Sequence, residues 1–294
     1  MVYDLSNYPV PLLNEPPIAT IEFNAAGYEA FMADNFKIID KEKVAVPFLA
    51  NPAQHSLNTY MERYIDILIL KARKMGFSSD ALGIGATKFL VGENEKCISM
   101  SFDQTASDKQ LARAKYYIRS YEEKNQVKIP YKYNSKNQMV WEGKRLNKLG
   151  AYDHFQNVLQ VGTARNTDFG RGDDISFLHL TEVSLADIDE LMAGVGEACL
   201  PGAHKILETT AAGFNSYKKF WDRTLLNLTS FAALFYSPLW EYSPEFVETK
   251  RNNLGRLGIQ EYPMTPMEAF ITSGLQFFKT EAVQRYYEMA GGQV

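Results

Sequence analysis

From Ile65 to Lys71 the chain reads Ile-Asp-Ile-Leu-Ile-Leu-Lys, apolar on both alternations of a β-strand. Such a run is buried only in a strand covered on both faces, the situation of a parallel sheet between helices. A short turn holding Gly76 follows, and Ser78 and Ser79 open a helix that runs towards Val91. Strand, tight turn and helix N-terminus in that order form the setting in which backbone N–H groups hold phosphates. A Walker A loop reads G-x-x-x-x-G-K-[ST]. Here Gly76 and Ser78 occupy the second glycine and the hydroxyl positions, while Lys71 replaces the first glycine and Phe77 the lysine.

The same alternation continues along the chain. Asn51 and Pro52 start a helix that extends to Arg63, as an N-cap asparagine with proline at the first helical position does. Residues 96–102 form a strand and 107–124 a helix; short strand pieces follow at 138–141, 145–149 and 158–161. A strand at 175–180 ends in Thr181-Glu182, a helix covers 186–197, and a strand at 204–209 ends in Thr210-Ala-Ala-Gly213. A helix at 217–228, a strand at 231–235 and a helical tail from Ser243 complete the pattern. Glycines 83 and 85 weaken the expectation for the middle of the helix after the turn. Apolar strands alternating with helices describe an α/β fold with a mainly parallel central sheet flanked by helices. We expect an N-terminal extension over 1–45, one domain over 46–273 and a helical tail or linker over 274–294.

With 46% hydrophobic and 22% charged residues, the chain is not of the disordered class. The net charge of −4 does not mark a nucleic-acid binder globally, although a local basic patch can serve. Cys97 and Cys199 make no disulfide framework and are expected as buried thiols. Neither a signal peptide nor a membrane span is expected.

Ligands of such sheets bind at the carboxyl ends of the strands, and three ends carry reactive residues: the turn 71–79, Thr181-Glu182 and Thr209-Thr210. Nucleotide hydrolysis needs donors around the phosphates, a hydroxyl or carboxylate on Mg²⁺ and a carboxylate that orients water. Lys71, Arg73, Lys74 and the loop amides meet the first need, Ser78 the second and Glu182 the third. Taken singly, each has a plainer reading: a solvated lysine, a helix cap, turn chemistry. Their order after three apolar strands makes the joint case.

This combination resembles the ATPase domain of the large terminase subunit of tailed bacteriophages, over about residues 36–273. Val46-Pro-Phe-Leu-Ala-Asn-Pro-Ala-Gln54 is similar to the family's adenine-binding segment, and Leu70 to Ser79 to its variant Walker A. Asp174 to Glu182 resembles its Walker B strand with catalytic glutamate, and Thr209-Thr-Ala-Ala-Gly213 its coupling motif. Glu261-Tyr-Pro-Met-Thr-Pro-Met-Glu-Ala-Phe270 looks like the segment that closes the ATPase region. The resemblance implies an ASCE-type P-loop NTPase that hydrolyses ATP with Mg²⁺ to translocate double-stranded viral DNA into the procapsid. It implies that Phe48, Gln54 and Lys71, Ala72, Arg73, Lys74, Met75, Gly76, Phe77, Ser78 and Ser79 surround the nucleotide. It further implies Glu182, Lys71 and Arg171 as catalytic, Ser78 and Glu182 at the metal, and Thr209 and Thr210 in coupling. The implied partners are DNA, a portal protein, a small terminase subunit and further copies in a ring, with a monomer left open for the isolated protein. The implied location is the host cytoplasm.

Three departures matter. Phe77 leaves the phosphate charge to Lys71, Arg73 or Lys74, and Thr181 stands where the Walker B aspartate belongs. The tail, with Glu281 and Glu288 as helix surface charges, offers no acidic cluster, so no nuclease activity is expected from this chain. Between Lys124 and Lys148 seven basic residues stand against Glu142 alone, with Tyr131, Tyr133 and Trp141 among them. They form a solvated excursion or a strip for a DNA backbone. Arg171, between Gly170 and Gly172, is preferred to Arg165 as the transition-state arginine, and the four histidines show no zinc spacing. The rival readings are a helicase-like ATPase and a nucleotide-binding assembly module with negligible turnover.

Overall fold

The apolar runs assemble into one eight-stranded sheet. The protein is described here by a computed structural model covering residues 21–146, 151–166, 169–271, 285, 286 and 289. Helix α1 (Ala25–Asn35) and the strand pair β1 (Lys37–Ile39) and β2 (Ala45–Pro47) precede α2 (Pro52–Met61). Then β3 (Asp66–Lys71) feeds α3 (Phe77–Val91), and β4 (Lys96–Ser101) feeds α4 (Gln104–Asn125). Strands β5 (Tyr131–Asn134), β6 (Gln138–Leu146) and β7 (Tyr152–Thr163) follow, then β8 (Ile175–Thr181), α5 (Ile188–Leu191) and β9 (Cys199–Thr209). Helix α6 (Ser216–Leu225), β10 (Ala232–Tyr236), α7 (Pro244–Leu254), α8 (Arg256–Glu261) and α9 (Pro266–Ile271) close the described chain.

The strand order is β10-β3-β9-β8-β4-β7-β6-β5. Neighbours from β10 to β7 are parallel, and β6 and β5 add on antiparallel. Strand β9 thus lies between β3 and β8, which brings the carboxyl ends of all three side by side. Alternation along β3 explains the two cores. Ile67 and Ile69 join the cluster under α1 to α4, and Leu68 and Leu70 join Tyr217, Trp221 and Phe270 on the other face, as successive strand side chains must.

Helix α3 is buried almost all round. A Cβ on Gly83 would meet Met32 Sδ at 2.3 Å and Phe48 at 3.1 Å. The glycine that weakened the helix in sequence therefore admits α1 and the segment after β2. Three other expectations change. The short strand pieces are one long antiparallel hairpin, paired from Gln138↔Gln160 to Leu146↔Tyr152; exposed polar residues on its outer face broke the apolar signal. The helix expected at 186–197 is a four-residue α5 followed by a π-turn over Met192–Gly196, where Gly194 and Gly196 lower helix propensity. Cys199 is half-buried, and both thiols are free. The stretches 1–20 and 147–150, and the tail from 272 apart from residues 285, 286 and 289, lie outside the described residues. So do Glu281, Glu288 and Lys148.

Helix α3 ends against a buried asparagine. Asn157 Nδ2 donates to the carbonyls of Phe89 at 3.0 Å and Gly92 at 2.7 Å, and its Oδ1 accepts the Glu95 amide at 2.9 Å. Trp141 Nε1 donates to the same Phe89 carbonyl at 2.7 Å. The last carbonyls of a helix have no partner within it, so this clamp fixes α3 and hence the turn at its other end. Asn157→Ala is expected to lower unfolding stability by about 1–3 kcal/mol, the cost of leaving buried polar groups unsatisfied, measured by urea denaturation. An unchanged midpoint would mean that the carbonyls find other donors.

Candidate functional site

The turn from Ala72 to Gly76 has every carbonyl after Ala72 tied down. Tyr242 Oη donates to the carbonyls of Arg73 at 3.3 Å and Lys74 at 3.1 Å. Asn51 Nδ2 donates to Met75 O at 3.2 Å, and Gln54 Nε2 to Gly76 O at 2.9 Å. In a trans peptide the next amide points away from the carbonyl, and no peptide bond here is cis. The amides of Lys74, Met75, Gly76 and Phe77 are therefore turned away from the anchoring side chains. Among the described residues those of Lys74, Met75 and Gly76 donate to no backbone acceptor, and α3 begins without a side-chain cap. Free amides grouped at the positive end of a fifteen-residue helix form a nest of the kind that suits an anion. Gly76 is required twice: its φ is +84°, and a Cβ there would meet Gln54 Nε2 at 2.7 Å. The amides of Ala72 and Arg73 are spent on Tyr236 O at 3.1 Å and Glu261 O at 2.9 Å.

The nest opens into a cleft of about 550 Å³ lined by Lys71, Lys74, Ser78, Arg113, Glu182 and Thr210, among others. Lys74 and Glu182 both have left-handed backbone, with φ of 59° and 57°, a strain that collects at functional sites. Both side chains are exposed, and neither forms an ion pair among the described residues.

Beneath the nest lies Glu208 on β9, fully buried. Its Oε1 accepts from the Ser78 hydroxyl and from His179 Nε2 at 3.2 Å, and Lys71 Nζ stands 3.2 Å from Oε2. His179 Nδ1 meets Ser99 Oγ at 2.8 Å, and Ser99 donates to Gln110 at 3.1 Å. Burial pushes the Glu208 carboxyl up. The Lys71 ammonium, His179 and Ser78 outweigh burial and hold it well below the usual carboxylate range. Thr181 Oγ1 lies 3.4 Å from Ser78 Oγ.

The three strand ends are also linked to each other and to the C-terminal helices. Thr209 Oγ1 meets Ser184 Oγ at 2.7 Å, and Ser184 donates to Thr210 O at 2.8 Å. From α8, Gln260 Nε2 donates to Ala211 O at 2.6 Å, and Glu261 pairs with Arg73 at 3.0 Å. Tyr262 packs against Tyr242 and Phe246, and Phe270 lies between Tyr217 and Trp221.

Lys71, Arg73, Lys74, Met75, Gly76, Phe77, Ser78 and Ser79 line the cleft, as do Glu182, Thr209 and Thr210. Four expected residues do not. Ala72 is buried behind the turn. Phe48 is buried against Tyr117. Gln54 is 4% exposed, with its amide nitrogen on Gly76 and its oxygen accepting the Asn51 amide at 2.8 Å in a capping box, so it shapes the turn. Arg171 precedes β8, at the sheet edge opposite the cleft, whereas Arg165 follows β7 at the cleft's edge and lies over Phe102 at 4.7 Å. Strand direction thus puts Arg165, and not Arg171, on the cleft's side of the sheet. Phe77 borders the cleft, and its ring is buried against Tyr236 at 4.7 Å. Lys71 lines the cleft too, but its charge is engaged by Glu208. Sequence reasoning missed Arg113 and Glu208. Arg113 sits mid-helix, without a motif; Glu208 was legible only as a charge inside an apolar strand. Among the described residues no three His, Cys, Asp or Glu side chains gather as a metal cluster. Of the basic strip, Lys124, Lys128 and Lys132 are paired with Asp34, Glu122 and Glu142, two of them acids outside the stretch.

No protein-family model matches the chain, and no curated protein does either. Solved structures do. The ATPase domain of the Thermus phage P74-26 large terminase, in an arginine-to-alanine mutant, superposes with a TM-score of 0.60 at 12% identity, over 73% of this chain and 93% of that one. The same domain without the mutation gives 0.57 over the same shares. The HK97 bacteriophage large terminase gives 0.54 at 11% identity, over 92% of this chain and 52% of that one. The chain thus has the fold of phage large terminase ATPase domains and spans about half the length of the HK97 protein.

Two outcomes test the buried pair. Lys71→Met is expected to destabilise by about 3–5 kcal/mol, as removal of one partner of a buried ion pair does, and Lys71→Met/Glu208→Gln to recover much of it in urea unfolding. Because the Glu208 carboxyl is held below its unfolded value, its contribution is complete above the ordinary carboxylate range and is lost as pH falls below that range. Glu208→Gln should therefore flatten the acid limb of the stability–pH curve; parallel limbs for variant and wild type would refute the assignment.

Proposed function

We propose that this chain is the ATP-hydrolysing motor domain of a large terminase, a P-loop NTPase that drives double-stranded DNA into a phage procapsid. The observation that carries the proposal is the turn whose carbonyls are all held from outside, leaving its amides to a cleft that also holds Glu182. The insertion of β9 between β3 and β8 supports the ASCE type. In this reading the amides of Lys74 to Ser78 bind the phosphates, and Lys74 and Arg113 meet their charge. Glu182 orients the attacking water and takes its proton. The Ser78 hydroxyl, the Glu182 carboxylate, without an ion pair among the described residues, and the buried Glu208 oxygen that Lys71 meets at 3.2 Å make a donor set of oxygens that fits Mg²⁺. Bound Mg²⁺ would neutralise charge on the transferring phosphoryl group. Thr209 and Thr210 relay the state of the cleft through Ser184 and, by way of Ala211, through Gln260.

Residues 46–273 form the motor in this reading, with 1–45 an extension on it and 274–294 a tail or linker. DNA, a portal, a small terminase subunit and further copies in a ring are its partners in the host cytoplasm. Arg165, at the cleft's edge of the sheet, is better placed than Arg171 to serve as the transition-state arginine of an assembled ring. A second reading, a nucleotide-binding assembly module with negligible turnover, is favoured by one observation: Lys71 is held by Glu208.

Glu182→Gln is expected to lower DNA-stimulated ATP hydrolysis by at least about a hundredfold, the usual contribution of a general base, with fluorescent-ADP affinity nearly unchanged. Lys74→Ala should weaken that affinity by about tenfold or more, the loss of a hydrogen bond to a charged group. Nucleotide binding without turnover in the wild type would favour the assembly module.

A further inference from the structure

Phosphate loops of this kind hold Mg²⁺ between the loop hydroxyl and an aspartate at the end of the Walker B strand. Here that strand is β8, and its end residue is Thr181, without charge. Thr181 pairs in register with Glu208 of the neighbouring strand β9, and paired residues share a face of the sheet. The geometry points to Glu208 as the metal-side carboxylate of this site, the acid having moved one strand across from Thr181. This inference rests on the nucleotide reading above.

Three observations carry it. The Ser78 hydroxyl, the loop's metal-side group, donates to Glu208 and has Thr181 as its other neighbour at 3.4 Å. One Glu208 oxygen is buried without a hydrogen bond and is met by the Lys71 ammonium at 3.2 Å, so it is a position at which a cation is already held. Glu208 is itself held in place, by His179 at 3.2 Å and through it by Ser99 at 2.8 Å, as carboxylates that serve metals are. Glu182, one residue beyond Thr181, is exposed at the cleft and forms no hydrogen bond with Ser78 among the described residues, which suits the water side of the reaction. Lys71, 3.2 Å from that oxygen, is the cation that a bound metal would have to share Glu208 with.

Glu208→Gln keeps the size of the side chain and an oxygen for Ser78 and His179 to donate to. The test measures fluorescent-ADP affinity in EDTA and with Mn²⁺, and counts bound Mn²⁺ by electron spin resonance at saturating ADP. In Glu208→Gln, Mn²⁺ affinity at saturating ADP is expected to fall about 10–100-fold, the range for losing a partner that orients a metal's ligands, with metal-free ADP affinity within about threefold of wild type. Adding Thr181→Asp returns an acid to β8 and should recover most of the loss. Unchanged Mn²⁺ affinity, equal weakening of ADP with and without metal, or no recovery in the double variant each overturns the proposal. A wild-type protein that binds no ADP under either condition refutes the nucleotide reading, and this inference with it.

Discussion

The turn between β3 and α3 depends on donors that it does not contain. A five-residue connection at the end of a buried strand leaves a row of carbonyls without ladder or helix partners, and buried backbone groups must be paired. The partners come from both ends of the chain: Asn51 and Gln54 at the start of α2, Tyr242 ahead of α7. The capping box of α2 is therefore more than a helix start. A cap contributes about 1 kcal/mol to its own helix, but here the same two side chains also fix the direction of two peptide planes. Residues far apart in sequence converge on the turn for this reason, and the amides it exposes are a consequence of where its carbonyls go.

The second constraint is the carboxylate under the turn. A buried ion loses several kcal/mol of solvation, so Glu208 persists only because Lys71, His179 and Ser78 surround it. That requirement reaches across the sheet. His179 needs Ser99 on β4, and Ser99 reaches Gln110 on α4, one turn before Arg113. The polar row crosses four adjacent strands, β4, β8, β9 and β3, through an otherwise apolar sheet. Such a row ties strand order to the loop chemistry, since only β3 beside β9 gives the glutamate its Lys71 counter-charge.

The sheet and its helices were legible because burial on both faces leaves unbroken apolar runs, as at 65–71 and 175–180. Glu182 and the Thr209-Thr210 pair were legible by position alone, since a residue following a buried parallel strand must emerge at the carboxyl edge. What the sequence withheld is what depends on neighbours. Gln54 carries the residue type expected at a base edge, but its amide nitrogen is drawn to Gly76, twenty-two positions away, and its oxygen to the Asn51 amide of its own helix cap. Arg171 had glycines on both sides, yet strand direction alone decides which edge it occupies. Glu208 contacts Ser78 across 130 positions and His179 across 29, and only the placement of β9 between β3 and β8 brings them together. The long β6–β7 hairpin was read as fragments because its outer face is polar, which erases the apolar continuity that marks the central strands.

Helix α8 shows how these constraints combine. Its Glu261 holds Arg73 by charge and by backbone, while Gln260, one residue earlier, holds Ala211 beyond β9. Two adjacent residues thus span the turn between β3 and α3 and the loop after the middle strand. The same segment is anchored behind by Tyr262 against Tyr242 and Phe246, and Tyr242 is the donor for two of the turn's carbonyls. The turn cannot change the direction of those carbonyls without releasing Tyr242, and Tyr242 cannot move without disturbing the ring that seats α8. In the proposed motor this makes the C-terminal helices part of the nucleotide site by connection, because a displacement at the phosphates reaches α8 through Tyr242 and returns to β9 through Gln260.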